Sequence, residues 1–260
     1  MNESAYITGI MGAMPEEIEG ITQIIDNRTE VALGGRIYHL GTINGCKVVV
    51  VFSRWGKVAA AATAATLLLK FKVNELIFTG VAGALSAELN IGDIVVGRRL
   101  YQHDMDARPF IPRFEIPLLG LMNIECKPPC VEIANNAATR VLVRERLGGI
   151  SNHNGFVAVE PKHPKVHVGD IASGDRFISS STDRMVLKEI LPSVLCVEME
   201  GAAVAQVCHE YDIPWTVIRI ISDTADDSAA HDFQHFIKNI ASGYTVEIVR
   251  EMIGCREENI

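Results

Sequence analysis

The 260-residue chain is 48% hydrophobic, with a formal net charge of −8 and a pI near 5.5; that supports a sizeable core and excludes a surface built to grip nucleic acid, because a polyanion would be repelled. No apolar run approaches the ~18 residues of a membrane span, and no basic segment followed by an apolar one opens the chain, so neither a span nor a signal peptide is expected. The cysteines (Cys46, Cys126, Cys130, Cys196, Cys208 and Cys255) are scattered without a CxxC pair, as suits reduced thiols in the cytoplasm rather than a disulfide framework.

The N-terminal half alternates β-rich runs with helical patterns. An apolar run over 5–11 reads as a strand ending at Gly12; Pro15 suits the first turn of a helix, whose positive end Glu16 and Glu17 complement. Two further runs, over 31–42 and 46–53, are joined by Ile43-Asn44-Gly45, and Asn-Gly between apolar stretches signals a hairpin. Residues 56–70 form an Ala/Leu-rich helix pattern able to pack closely on a sheet. A short strand over 75–79 ends at Gly80-Val81-Ala82-Gly83, and another follows over 93–98.

Residues 107–164 read as one loop-rich insertion, rich in Pro, Asn and His, and inserted loops of that length are usually functional. Within it Cys126 and Cys130 flank Lys127-Pro128-Pro129, a stiff turn that lacks the two further ligands of a zinc site. Alternation then resumes: strand 166–173, helix 183–190, strand 194–197, helix 198–211, buried strand 215–222 and a closing amphipathic helix over 233–252. The pattern predicts one α/β domain over 1–260, with a parallel or mixed sheet covered on its faces.

In open α/β sheets, ligands collect beyond the carboxyl ends of strands. Four such exits stand out, at 12–17, 79–83, 197–200 and 221–223, and three of them carry carboxylates: Glu16 and Glu17, Glu198 and Glu200, and Asp223. Each acid alone reads equally well as a helix cap. Glu198-Met199-Glu200 is the sharpest signal, since two acids bracketing a methionine at a strand exit can offer one carboxylate to a vicinal diol while the methionine lies against a sugar ring. Asp223 ends a strand that is nearly all apolar except for Arg219, and partial burial there is expected to raise its pKa so that it holds a proton near neutrality and acts as an acid.

The set GAMPEE, SRWGKVAAA, FTGVAGAL, NIGDIVV, SGDRFI, VEMEGAAVA and RIISDTAD resembles, in order and over nearly the whole chain, the methylthioadenosine/S-adenosylhomocysteine nucleosidases of the wider purine nucleoside phosphorylase superfamily. The resemblance implies a single α/β domain with a mixed, partly closed central sheet flanked by helices, a homodimer, a small nucleoside as substrate, and no metal or organic cofactor. It implies Glu17 as the group that activates water and Asp223, beside Ser222, as the proton donor to the purine. Glu200 then binds the ribose with Glu198 alongside, Met199 lies against the sugar, and Arg219 sits near the water. Phe177 and the backbone of Ile178 hold the adenine, and Ala82 and Gly83 lie beneath the sugar.

Chemistry fits those roles. Adenine leaves poorly unless its N7 is protonated, the ribose gains oxocarbenium character that a carboxylate stabilises, and water attacks the opposite face. The chain departs from the family in carrying Val81 where serine is frequent, and Arg54-Trp55 where Gly-Ile is usual, which predicts a bulkier, charged wall on the sugar side. Its ARPFIPRFEIPLLG segment is closer to plant-type members. Three other readings stand beside hydrolysis of methylthioadenosine or S-adenosylhomocysteine: a futalosine-type hydrolase, a nucleoside phosphorylase with Arg36 or Arg54 cradling phosphate, and a nucleoside-binding protein on the same fold. His231 and His235, spaced i,i+4, read as surface histidines rather than metal ligands.

Overall fold

The computed structural model describes residues 6–146, 164–233 and 241–254; the part of the expected insertion over 147–163 lies outside them, as does His235. In chain order the elements are β1 (Ile7–Gly12), α1 (Pro15–Gln23), β2 (Asp26–Leu33), β3 (Arg36–Ile43), β4 (Cys46–Phe52), α2 (Lys57–Lys70), β5 (Glu75–Ala84) and β6 (Ile94–Gln102). There follow β7 (Ile124–Glu125), α3 (Pro128–Arg146), β8 (Val166–Ser173), α4 (Ser181–Ile190), β9 (Val194–Glu198), α5 (Gly201–Glu210), β10 (Trp215–Asp223) and α6 (Ala241–Gly254).

The strands make one mixed sheet in the order β10-β6-β8-β9-β5-β1-β4-β3-β2, with β7 beside β6. Because β10 also pairs with β5, the strands β5, β10, β6, β8 and β9 close a ring, from which β1, β4, β3 and β2 extend as an open wing. The partly closed sheet expected from the resemblance is thus present. Every residue of β5 is buried. Its first half pairs with β1, up to Phe78 opposite Met11, whereas its end pairs with β9, at Gly83 and Ala84. Between those pairings one flank of β5 has no strand beside it, and this fork opens a crevice at the strand ends. Helices α2 and α5 pack against each other, and α6 packs on α1 and α3. One large apolar core spans the sheet, and a smaller cluster around Leu85, Ile178, Leu187 and Val197 supports the crevice rim. Among the described residues no helix is long and apolar enough to cross a membrane.

Several boundaries correct the sequence reading. The run over 31–42 is two strands, because Gly34 and Gly35 take φ of 58° and 69° and turn the chain into a second hairpin like that at Asn44-Gly45. Gly80-Val81-Ala82-Gly83 continues β5 rather than leaving it. Helix α5 begins at Gly201, so Glu198 ends a strand and Met199-Glu200 form the joint. The stretch read as a loop-rich insertion contains the 19-residue helix α3, whose first two residues are Pro128 and Pro129; proline is well placed there, since the first helical N–H groups have no intrahelical partner. Of the closing helix expected over 233–252, the described part is α6, at Ala241–Gly254.

Candidate active site

The crevice at the fork is an open cavity at the strand ends, where small-molecule sites of α/β sheets gather. The three acids reach it from separate elements: Glu17 from the first turn of α1, Glu200 from the β9–α5 joint and Asp223 from the last residue of β10. Ala82, Gly83, Phe177, Ile178, Glu198, Met199 and Ser222 line it as well. Of the residues expected at the site, only Arg219 does not line the cavity.

Glu17 is buried and fills the unpaired flank of β5. Its Oε2 accepts the N–H groups of Ala13 (2.5 Å) and Met14 (3.0 Å), and its Oε1 accepts that of Val81 (3.1 Å), a donor that no neighbouring strand takes. A carboxylate has about four acceptor sites, so one is left for a group in the cavity. Burial raises the pKa of Glu17 above the ordinary glutamate value, although Arg219 and the three N–H groups pull the other way; the result is a more basic carboxylate. Its position depends on Gly80, where a Cβ would lie 2.5 Å from Oε1. Gly80→Ala is therefore expected to displace the carboxylate and lower turnover about a hundredfold while leaving the far-ultraviolet circular dichroism unchanged. Steady-state kinetics on the folded variant check this, and wild-type turnover would refute it.

Glu198 and Glu200 have different surroundings. Glu198 is engaged on every side: it accepts from Arg219 Nη2 (2.6 Å), Ser173 Oγ, Glu200 N (3.0 Å) and Gly201 N (2.8 Å). It ties β8, β10 and the start of α5 together and keeps no acceptor site for a sugar hydroxyl. Arg219 lies behind it, 1% exposed, with its guanidinium 4.2 Å from the Phe78 ring centroid and Nη1 donating to the Phe78 and Ile218 carbonyls. Burial opposes its charge, but Glu198, Glu17 and Glu200 outweigh that and raise its pKa further. The placement of Arg219 as a substrate-binding residue is thus corrected: it is a buried counter-charge that acts on the cavity through the acids.

Glu200 accepts one hydrogen bond, from Gly56 N (2.7 Å), and presents the rest of its carboxylate to the cavity. Burial, reinforced by Glu198, pushes its pKa up to about 8. A folded pKa above the unfolded value means that the native state holds a proton the unfolded state has lost. Stability present below the unfolded pKa is then lost progressively as pH rises towards about 8. Glu200→Gln, which carries no charge to desolvate, is expected to melt higher than wild type at pH 8 and at nearly the same temperature at pH 4. Thermal denaturation at both pH values tests this, and an identical shift at each would sink it.

Asp223 accepts from Ser222 Oγ (2.8 Å) and Ala225 N (2.9 Å), yet burial outweighs both bonds and raises its pKa, as the sequence predicts. Gly83 makes room for it, since a Cβ there would lie 2.6 Å from Oδ1. The rim opposite is held by charge: Asp104 accepts from Lys57 Nζ (2.5 Å) and from Asp175 N (2.9 Å), while Asp175 accepts the Lys57 N–H at the start of α2 (2.7 Å). That clamp sets the segment carrying Phe177 and Ile178, and ties it to the His103-Asp104 stretch.

Trp55 and Arg54 divide the prediction made for them. Trp55 lines the cavity and meets Phe233 edge-on at 6.4 Å, and Phe233 meets Phe177 at 5.6 Å. Arg54 turns away to the Gly35 carbonyl (2.7 Å), so the wall is bulky but takes no charge from that residue. Sequence reasoning missed Ala13, Met14, Arg176 and Phe233 as lining residues. The first two follow from the strand-exit rule once β1 is placed, whereas Phe233 had no local signal. His231 is exposed and lies 3.4 Å from Asp232.

A model of the phosphorylase superfamily matches residues 7–254. The aminodeoxyfutalosine nucleosidase of Helicobacter pylori is 34% identical over 235 residues, covering 90% of this chain and 92% of that protein. A 5′-methylthioadenosine/S-adenosylhomocysteine nucleosidase of Staphylococcus aureus is 31% identical over 242 residues, covering 92% and 96%. Among solved structures, the corresponding nucleosidase of Colwellia psychrerythraea in complex with adenine has a TM-score of 0.84 at 29% identity, over 98% of this chain and 97% of that one.

Proposed function

The chain belongs to the phosphorylase superfamily, and from that premise we propose that it is an N-glycosyl hydrolase that releases adenine from a 5′-substituted adenine nucleoside, methylthioadenosine or S-adenosylhomocysteine. The observation that carries this reading is the convergence of Glu17, Glu200 and Asp223 on one cavity. Asp223, whose hold on a proton burial strengthens, hands its proton to N7 of the departing adenine, which stacks on Phe177 and meets the backbone of Ile178. Glu200, whose pKa burial pushes up to about 8, holds the ribose hydroxyls with Met199 against the ring. Glu17 uses its remaining acceptor site to take a proton from the attacking water.

Hydrolysis is favoured over phosphorolysis by the position of the cations. Arg36 donates to the carbonyls of Ser53, Ala59 and Gly34, and Arg54 to that of Gly35, so neither offers a phosphate cradle, while a Glu17 carboxylate lining the cavity would repel a phosphate. A second reading, cleavage of aminodeoxyfutalosine, is favoured by the Helicobacter pylori relative. It uses the same acids and differs only in what the rim of Trp55, Phe177 and Phe233 must accommodate. A homodimer in the cytoplasm is part of the proposal. The deciding experiment offers methylthioadenosine, S-adenosylhomocysteine, 5′-deoxyadenosine and aminodeoxyfutalosine, each with and without phosphate, and identifies the sugar product. A free sugar and adenine regardless of phosphate are expected; a sugar 1-phosphate would overturn hydrolysis, and binding without adenine release would make the chain a nucleoside-binding protein.

A further inference from the structure

Gly56 supplies the hydrogen bond that orients Glu200, yet the start of α2 has no cap of its own. Gly56 stands immediately before the helix at φ 91°, offers no side chain, and is followed by a first turn without an acid. Its N–H and that of Lys57 are taken instead by Glu200 and Asp175, from distant parts of the chain. Arg54, two residues earlier, has a φ of 75°, in the left-handed region that a residue with a side chain rarely adopts. Such a backbone persists only where its surroundings over-determine it.

Those surroundings are the β2–β3 hairpin turn of the open wing. Arg36, the first residue of β3, reaches across to the loop: Nε and Nη2 donate to the Ser53 carbonyl (3.2 and 3.0 Å), and Nη2 also to the Ala59 carbonyl in the first turn of α2 (3.3 Å). Its Nη1 donates back to the Gly34 carbonyl of its own turn (2.9 Å). Arg54 returns the contact, its Nη2 donating to the Gly35 carbonyl (2.7 Å); a Cβ on Gly35 would lie 3.0 Å from that nitrogen. Ser53 is held from the other side as well, its N–H donating to the Gly12 carbonyl at the end of β1 (2.8 Å). Arg36 therefore grips the loop at both ends, before Arg54 and after Gly56. A cation beside the start of a helix is disfavoured by the dipole, so the carbonyl contacts are what place it there.

We propose that Arg36 is a positioning residue for the ribose-binding carboxylate, acting through the Ser53–Gly56 loop on the Gly56 N–H and so on Glu200. The inference rests on the reading of Glu200 as the group that holds the ribose hydroxyls. With the loop gripped at Ser53 and Ala59, the Gly56 N–H stays on Oε1 of Glu200 and the rest of the carboxylate faces the cavity. Released, the loop can leave the left-handed turn at Arg54, and the carboxylate loses the bond that orients it. The β2–β3 hairpin, none of whose residues lines the cavity, thereby takes part in substrate binding.

The test compares the full chain with Arg36→Met, Glu200→Ala and the double variant. It reads KM for methylthioadenosine, or for aminodeoxyfutalosine if that is the nucleoside cleaved, with the dissociation constant in its place where turnover is slow, and inhibition by free adenine. Methionine keeps the reach of the side chain and removes every donor. Arg36→Met is expected to raise KM about tenfold, as misplacing a binding group does. Inhibition by adenine, which has no ribose for Glu200 to hold, should stay at the wild-type level. Glu200→Ala should raise KM at least as much, and Arg36→Met added to it should raise KM no further, because residues acting through one contact are not additive. Arg36→Lys, which keeps a cation but reaches fewer carbonyls, should fall between wild type and Arg36→Met, and carries the test if the methionine variant does not fold. A wild-type KM in folded Arg36→Met, or a full further rise in the double variant, would overturn the assignment while the role of Glu200 stands. An unchanged KM in Glu200→Ala would remove that role, and the inference with it.

Discussion

Asp223→Asn is expected to lower kcat for adenine release by about 10³-fold, within the range general-acid groups contribute, or about 4 kcal/mol of barrier, with the fold intact. Asparagine is nearly isosteric, and its carbonyl oxygen can accept from Ala225 N or from Ser222 Oγ as the carboxyl group does. What it cannot do is release a proton to the leaving base. The experiment is single-turnover adenine release beside adenine affinity: chemistry should collapse while adenine still binds. More than a tenth of wild-type activity in the folded variant would mean the base is activated by another group. The same acid sets the alkaline side of the pH profile. Because burial raises its pKa above the ordinary aspartate value, the protonated, active form persists further towards neutrality and is lost as pH rises through that raised value.

Glu17→Gln should be comparably damaging, again about 10³-fold in kcat, for a different reason. Glu17 must be ionised to accept a proton, so it governs the acidic side, where activity falls as pH drops through its own raised pKa. All three of its protein partners are N–H donors, on both oxygens. An amide at this position must turn its NH₂ towards at least one of them, so some loss of thermal stability accompanies the loss of activity. The discriminating measurement is the pH profile: the acidic limb should vanish in Glu17→Gln, and the alkaline limb in Asp223→Asn. An acidic limb that persists in Glu17→Gln would assign the base to another group, with Glu200 the nearest candidate. Its pKa, pushed up to about 8, predicts a limb centred near that pH.

Much of this was legible in the chain itself. Alternating strands and helices gave the α/β class. Asn44-Gly45 marked its hairpin, and Pro15-Glu16-Glu17 marked the start of α1. Strand exits with carboxylates at 17, 200 and 223 pointed to one end of the sheet, because the carboxyl ends of parallel strands lie together whatever their separation along the chain. The Gly34-Gly35 turn was missed because apolar residues on both sides made a continuous run. The strand character of Gly80–Gly83 was missed because glycine ordinarily weakens a strand; here the missing side chains are what admit the carboxylates of Glu17 and Asp223.

What the sequence determined on its own was therefore the kind of sheet and the set of acids, since both follow from short-range pattern and strand polarity. Only the tertiary structure decided how those acids differ. Glu198 and Glu200 are two residues apart and chemically identical, yet one is consumed by Arg219, Ser173 and the start of α5 while the other is left facing the cavity. Arg219 reads as a site residue and proves to be the buried counter-charge. Proton affinity and access depend on which distant groups surround a side chain, and those neighbours come from β5, β8 and β10, brought together by the closure of the ring.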